Sequence, residues 1–397
     1  MASLKPFRAW RPKPEYITEI TCLPYDVVDT KKAREILSNQ AYSYMKVIRP
    51  EADFKEPIPI YSKEVYVKGR DNLHTLLSSE KFLHEKNDAL YVYQLKWDKG
   101  IKTGIFGCVS VDDYDNGVIL KHELTQPDKE DDRTKHILTQ KAHAEPVMLT
   151  FESSDAIQSL INEAIVSSPL YTFTTEDAVE HIIWRLDHTD SMVEAFKAVN
   201  HVYIADGHHR CASASRASKK MHHHDHPDIQ HFPAVLFPMD EVQILSYNRI
   251  VYNVNDNFID QLKTKYSLIT DASPIPDKSG YVCLYFKSKW YGFSLPQSKH
   301  EDLASQLDVA RLQEFILEPY FGITNQRLDN NISFVGGIHG SRKLESIVDS
   351  GTADVAISMF PTSIDELIAV SDAGLLMPPK STWFEPKLRS GLLIHTF

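Results

Sequence analysis

The stretch "VYIADGHHRCASASR", residues 202–216, sets two histidines and an arginine directly behind an Asp-Gly turn. Apolar Val202 to Ala205 suit a buried strand, and Gly207 allows a sharp turn with close backbone approach. The helix expected next offers unpaired N–H groups and a positive dipole end, which together attract anions. Arg210 adds a planar fork that can hold phosphate oxygens by two bonds. His208 and His209 can donate further hydrogen bonds, and Asp206 can orient one of them or hold Mg2+. Three readings fit these residue types: an anion site, a transition-metal site, or a structural corner whose polar groups satisfy one another. The metal reading lacks a third ligand at a telling spacing.

A second constellation lies in "KHELTQPDKEDDRTKHI". Glu123, behind His122, sits at an expected strand end, where a partly desolvated carboxylate suits proton abstraction. Lys129, Arg133 and His136 follow at intervals of four and three, so they share one helical face. That face suits a phosphorylated substrate, and it equally suits a solvated row of helix-supporting charges. Asp128, Glu130, Asp131 and Asp132 crowd the first turn, where the dipole favours acids.

The third is "MPPKSTWFEPKLRS", in which Pro378 and Pro379 brace a loop presenting Lys380, Ser381 and Thr382, with Lys387, Arg389 and Ser390 beyond. Hydroxyls and a lysine on a stiff loop can bind an anion, and a surface turn before an edge strand explains them equally well. The Gly-rich Walker pattern, the Rossmann glycine fingerprint and the Gly-x-Ser-x-Gly elbow are all absent. "HHHDH" (His222 to His226) follows a helix end and precedes Pro227, which reads as a solvated loop.

The elements that must carry these groups are legible from pattern. "ITEITCLPYDVVDTKKAREILSNQ" predicts a strand, a Pro-Tyr-Asp turn and a helix capped near Asp29 or Thr30. "ALYVYQLKW" and "KTGIFGCVSVDDY" alternate as paired strands. Pro127 suits the first position of a helix running through His136. "AEPVMLTFE" and "HFPAVLFP" read as strands. After about residue 255 the pattern changes to helix, hairpin ("GYVCLYFKSKWYGFSL"), helix, strand, and a helix from Ser363 to Asp372. The expected division is a larger domain, 1–254, and a smaller α+β domain, 255–397, whose loop 378–390 returns to the site.

A chain of 397 residues, 42% hydrophobic and 24% charged, can build a sizeable globular core. Its charge, 43 − 54 = −11, argues against nucleic acid or an acidic membrane as partner. No apolar run approaches the roughly 20 residues that span a bilayer, and "MASLKPFRAWRPKPEY" is not expected to be a secretory signal. Cys22, Cys108, Cys211 and Cys283 lie far apart, as suits reduced thiols in a cytoplasm.

Taken jointly and in order, "LPYDVVD", "YSYMKVIRPE", "DDYDNGVILKHELTQPDKEDDRTKHI", "ADGHHR", "LSYNRIV" and "PPKSTWFEPKLRSGL" resemble the domain-of-unknown-function 1015 family over nearly the full chain. That family is in turn similar to free serine kinases, which phosphorylate free L-serine to O-phosphoserine. The resemblance implies an α+β fold: a ParB/sulfiredoxin-like mixed-sheet core with a smaller α+β C-terminal domain. It also implies roles. Glu123, with His122, would activate the serine hydroxyl. Asp206, Gly207, His208, His209 and Arg210, with Arg133 and Lys129, would bind the phosphoryl donor. Lys380, Ser381 and Thr382 would form a loop near the substrates. Pyrophosphate is the first choice of donor, ADP or ATP the next, with Mg2+ as cofactor. Trp383 and Phe384 stand where the archaeal kinases have a second Thr and an Arg, a departure that points to a different donor. The rival readings are a non-catalytic ParB-like regulator that binds a nucleotide or phosphate, and a metal-dependent hydrolase using Asp206, His208 and His209.

Overall fold

A computed structural model describes residues 1–221 and 226–397, so all but the last residue of the 222–226 loop lies outside the described residues. The backbone separates into two compact units. The larger holds residues 1–120, 125–242 and 386–397; the smaller holds 121–124 and 243–385. The division thus falls near residue 242 rather than 254. The reason is that Tyr247–Val251 pairs with Ile332–Gly336 and Val355–Met359 in the smaller unit's sheet.

The larger unit is built on an eight-stranded sheet. Its order is Ile119–Leu120, Val202–Asp206, Val147–Phe151, His231–Pro238, Gly100–Ser110, Leu90–Trp97, Glu180–Leu186 and Tyr171–Thr174. It is mixed: Val202–Asp206 runs parallel to Ile119–Leu120 and antiparallel to Val147–Phe151, which in turn runs parallel to His231–Pro238. The aromatic alternation of residues 90–110 does give an antiparallel hairpin, with Tyr91 opposite Phe106 and Tyr93 opposite Gly104. Val147–Phe151 is buried at every residue, which explains its mainly apolar composition, and the one polar side chain, Thr150, donates through Oγ1 to the Phe237 carbonyl at 2.9 Å. Its side chains share one core with Val202, Ile204, Ala234 and Leu236.

Local signals account for the helices. Pro127 opens the helix Pro127–Gln140, and the Asp29 side chain caps Thr30–Asn39 by accepting from the Lys32 N–H at 2.7 Å. Ile17–Ile20, expected as a strand, is a single helical turn. Ile17 and Ile20, three apart, both point inward there, a spacing that one helical turn puts on a single face and that strand alternation would split between two.

The smaller unit has a six-stranded antiparallel sheet, in the order Ile269–Thr270, Lys289–Ser294, Tyr281–Phe286, Val355–Met359, Tyr247–Val251 and Ile332–Gly336. A two-stranded ribbon pairs Gln243–Leu245 with Trp383–Glu385. Ser363 and Glu366 form a reciprocal capping box at the start of Ile364–Asp372, as expected there. The protein is therefore α+β, a mixed-sheet unit with a smaller α+β companion, as read from sequence. All four cysteines are buried free thiols. No helix of the described residues is long and apolar enough to cross a membrane.

Candidate active site

Strand Val202–Asp206 ends at Gly207, whose φ of +106° is left-handed, and helix His208–Lys220 begins at the next residue. Glycine is required here twice over. The backbone angle disfavours any side chain, and a methyl at this position would stand 2.9 Å from Val147 Cγ1 and 3.1 Å from Arg210 Nε. Gly207→Ala is accordingly expected to destabilise the protein by about 1–3 kcal/mol. An unchanged denaturation midpoint would show that Arg210 yields freely.

Arg210 does not project from the helix mouth as a free fork. Its guanidinium folds back under Gly207 and is buried. Nη2 donates to Asp206 Oδ2 at 2.7 Å and Nη1 donates to the Pro146 carbonyl. Nε has no partner among the described residues. Burial works against this charge, yet the anionic surroundings of Asp206, Asp26, Glu145 and Tyr25 outweigh it and strengthen the guanidinium's hold on its proton. Lys387 Nζ lies 3.5 Å from Asp206 Oδ1, so both carboxylate oxygens face cations.

The row expected at residues 129, 133 and 136 is an inward face, with Lys129 half-buried and Arg133 and His136 buried. Gln140 extends it by one more turn and is also buried. The face is therefore not a solvated row. Arg133 donates to Asp132 through Nε and Nη2 at 2.9 and 2.6 Å, and its guanidinium lies 4.2 Å from the centroid of the Tyr25 ring. Burial, aided by Arg133 and Arg49, drives the His136 imidazole toward its neutral form.

The helices Pro127–Gln140 and His208–Lys220 run side by side in the same direction. The Gln126 N–H donates to His209 Nε2 at 3.0 Å, Ser213 Oγ donates to the Glu130 carbonyl at 3.1 Å, and Arg216 pairs with Glu130 and Asp131. Their N-termini are therefore adjacent, and two dipoles of about half a positive charge each converge there. The first-turn acids Glu130 and Asp131 are neutralised laterally by Arg216. His209 is fixed as a capping acceptor, which removes its Nε2 from any metal.

Sequence reasoning missed Glu145, Tyr25, Asp26 and Gln140. Glu145 accepts from the Tyr25 N–H and from Ser390 Oγ, both at 3.0 Å on Oε1, while Arg133 Nη1 stands 4.0 Å from Oε2. Burial pushes its carboxyl up, against the pull of Arg210 and Arg133. Glu145, Arg133, Arg210, Gln140, His143 and Phe232 line a cleft of about 460 Å³, solvent at its mouth included. The available signal was a charged residue, Glu145, two positions before the buried Val147–Phe151 strand.

In the smaller unit, His122 and Thr382 come together, with Nε2 3.2 Å from Oγ1. Burial alone pushes the His122 imidazole down to about 3. Ser381 Oγ donates to the Pro378 carbonyl at 2.7 Å, so this hydroxyl braces its own loop. Lys380 adopts φ +59° and sets its ammonium 5.3 Å from the Tyr247 ring centroid. Glu123 is half-buried, and its charge is felt by the fully buried Arg249, whose proton affinity desolvation lowers to about 10.

Asp206 was one possible ligand for Mg2+; its carboxylate oxygens face Arg210 and Lys387. No group of three or more His, Cys, Asp or Glu side chains among the described residues could hold a metal ion.

A family model described as "Protein of unknown function (DUF1015)" matches residues 4–310. No curated protein matches the chain. Among solved structures it is similar to a free serine kinase variant in complex with AMP, with TM-score 0.40 and 11% identity over 70% of this chain and 86% of that one. A conserved hypothetical protein from Pyrococcus furiosus aligns with TM-score 0.38 and 12% identity, covering 70% and 90%. SbnI with a C-terminal truncation, from Staphylococcus aureus, aligns with TM-score 0.39 and 13% identity, covering 72% and 85%.

Proposed function

The chain belongs to the DUF1015 family, and from the site of its larger unit we propose that it is a phosphotransferase that converts free L-serine to O-phosphoserine, with pyrophosphate as the first-choice donor. The observation that carries the donor site is the pair of parallel helices whose N-termini meet beside Gly207, with the Arg210 Nε and its hydrogen held beneath. Backbone N–H groups and two aligned dipoles form an anion cradle there, and Lys387 adds charge at its edge. Serine as the acceptor is supported by the sequence resemblance.

In the reaction the serine Oγ forms a bond to one phosphorus, the bridging P–O bond breaks, inorganic phosphate leaves, and the hydroxyl proton passes to a carboxylate. Fixed cations around the transferring group contribute most of the stabilisation in such chemistry. Mg2+ enters as the counter-ion of the donor, since Asp206 is engaged by cations. Glu123 belongs to the smaller unit, and its role as proton acceptor is supported by the resemblance. Glu123→Gln should abolish turnover and leave donor affinity nearly intact.

The test is a donor screen. Purified protein with L-serine and Mg2+ should yield O-phosphoserine with pyrophosphate, and less or none with ADP and ATP. No product with any of the three removes the kinase assignment. Pyrophosphate binding without turnover would leave a phosphate-binding regulator.

A further inference from the structure

The cleft beside Arg210 has a composition that an anion cradle does not need. Its lining combines a buried carboxylate, a buried amide, two imidazoles and the guanidiniums of Arg133 and Arg210 with aliphatic walls that include Val47 and Val147. Three of its polar groups are incompletely used. Gln140 donates through Nε2 to the Val47 carbonyl at 3.1 Å, yet its Oε1 has no partner among the described residues. His143 Nε2 also lacks one, although the ring is buried and stacks parallel to His395 at 5.9 Å. Glu145 has both its hydrogen bonds on Oε1, and the nearest guanidinium nitrogen is 4.0 Å from Oε2.

Orphaned buried acceptors are costly, and native proteins rarely keep them without a reason. Here Gln140 Oε1 is such an acceptor, Glu145 Oε2 stands 4.0 Å from Arg133 Nη1, and all three residues belong to the same lining. A small molecule with a cationic donor group at one end and an anion at the other complements that set.

We infer that this cleft binds the acceptor as a free α-amino acid, with its ammonium group on Glu145 and Gln140 and its carboxylate on Arg133. The assignment rests on the proposed kinase reading for the identity of the amino acid, L-serine, and on the cleft alone for the zwitterion. His143 Nε2 supplies one more hydrogen-bonding group, and the aliphatic walls limit the length of the side chain. Gln140 and Glu145 are binding residues in this arrangement, and Glu145 also acts on Arg210 through its charge.

The experiment is calorimetric titration of the full-length protein without donor, followed by steady-state kinetics. L-Serine should bind. 3-Hydroxypropionate, which lacks the ammonium, and ethanolamine, which lacks the carboxylate, should each bind at least tenfold more weakly. Gln140→Leu and Glu145→Gln should each raise the serine KM tenfold or more, and Gln140→Leu should keep kcat and pyrophosphate affinity within about threefold of wild type. Pyrophosphate affinity also reports that each variant is folded, and should Glu145→Gln fail that check, Gln140→Leu and His143→Phe decide. If the wild-type protein makes O-phosphoserine but the folded variants keep the wild-type serine KM, the cleft assignment is overturned and the kinase reading stands. If no phosphoserine forms but L-serine binds and the variants lose it, the kinase reading falls and the cleft assignment stands.

Discussion

Arg210→Met is expected to lower the unfolding free energy by about 3–5 kcal/mol, the range found when one partner of a buried ion pair is removed. The guanidinium is buried, bonded at 2.7 Å to Asp206 and surrounded by the charges of Asp26 and Glu145. Without it the buried Glu145 is left in a desolvated place and Asp206 keeps Lys387 as its other cation at 3.5 Å. Lysine in its place keeps the charge but cannot reach the Pro146 carbonyl and Asp206 at once, so Arg210→Lys should recover only part of the loss. Adding Asp206→Asn to Arg210→Met should be less than additive by about 1 kcal/mol or more, since the two residues share one contact. Pyrophosphate affinity should fall at least tenfold in the methionine variant. Chemical denaturation and calorimetry measure both effects. A stability loss below about 1 kcal/mol would place Arg210 with ordinary surface ion pairs and remove the electrostatic basis of the cradle.

The parts of this site that the sequence made legible are those set by neighbours a few residues away. Pro127 announced a helix start, Asp29 a cap, and Gly207 a turn, because each acts through its own backbone. That Arg133 and His136 share one face followed from helical spacing, but that the face turns inward did not. Which way Arg210 would turn was not legible. Its direction depends on the Pro146 carbonyl, 64 residues earlier in the chain, and on the space left by a glycine. Glu145 was missed for a related reason: its partners Tyr25 and Ser390 come from opposite ends of the chain, 120 and 245 residues away. Lys387 was visible only as a loop lysine, since nothing local ties it to Asp206. The strand order of the mixed sheet, in which Val147–Phe151 sits between Val202–Asp206 and His231–Pro238, likewise depends on long-range pairing. The mixed-sheet α+β class, by contrast, came through a resemblance, which carries long-range information that local patterns lack.

Stability should fall steeply as pH drops from about 6.5 toward 4, well before most carboxylates are protonated. The cause is a set of buried histidines in the larger unit. Desolvation pushes His181 down to about 3 and His231 to about 4, and drives His136, His143 and His395 below the ordinary imidazole value as well. In the unfolded chain each titrates near 6.5. Over this window the unfolded state therefore binds more protons than the native one, so stability is fully present above pH 6.5 and is lost on acidification. Each histidine held neutral contributes a slope of about 1.4 kcal/mol per pH unit. Two or three of them consume much of a typical margin of about 5–15 kcal/mol within two units. Glu145 and Glu241 act in the opposite sense, because burial raises their carboxyls and the native state takes up their protons first. They are outnumbered, so the histidines set the sign between pH 6.5 and 5. His181→Gln is the informative variant: it retains a side chain able to meet Tyr93 and Thr175 but removes one titrating group. Denaturation midpoints at pH 7.5, 6.5, 5.5 and 5.0 should give a smaller slope for the variant, by roughly one proton. A flat profile in the wild-type protein over this range would mean that these imidazoles are protonated in the folded state, and that the polar interior around His136 and His143 is wetter and less rigid than the proposed acceptor cleft requires.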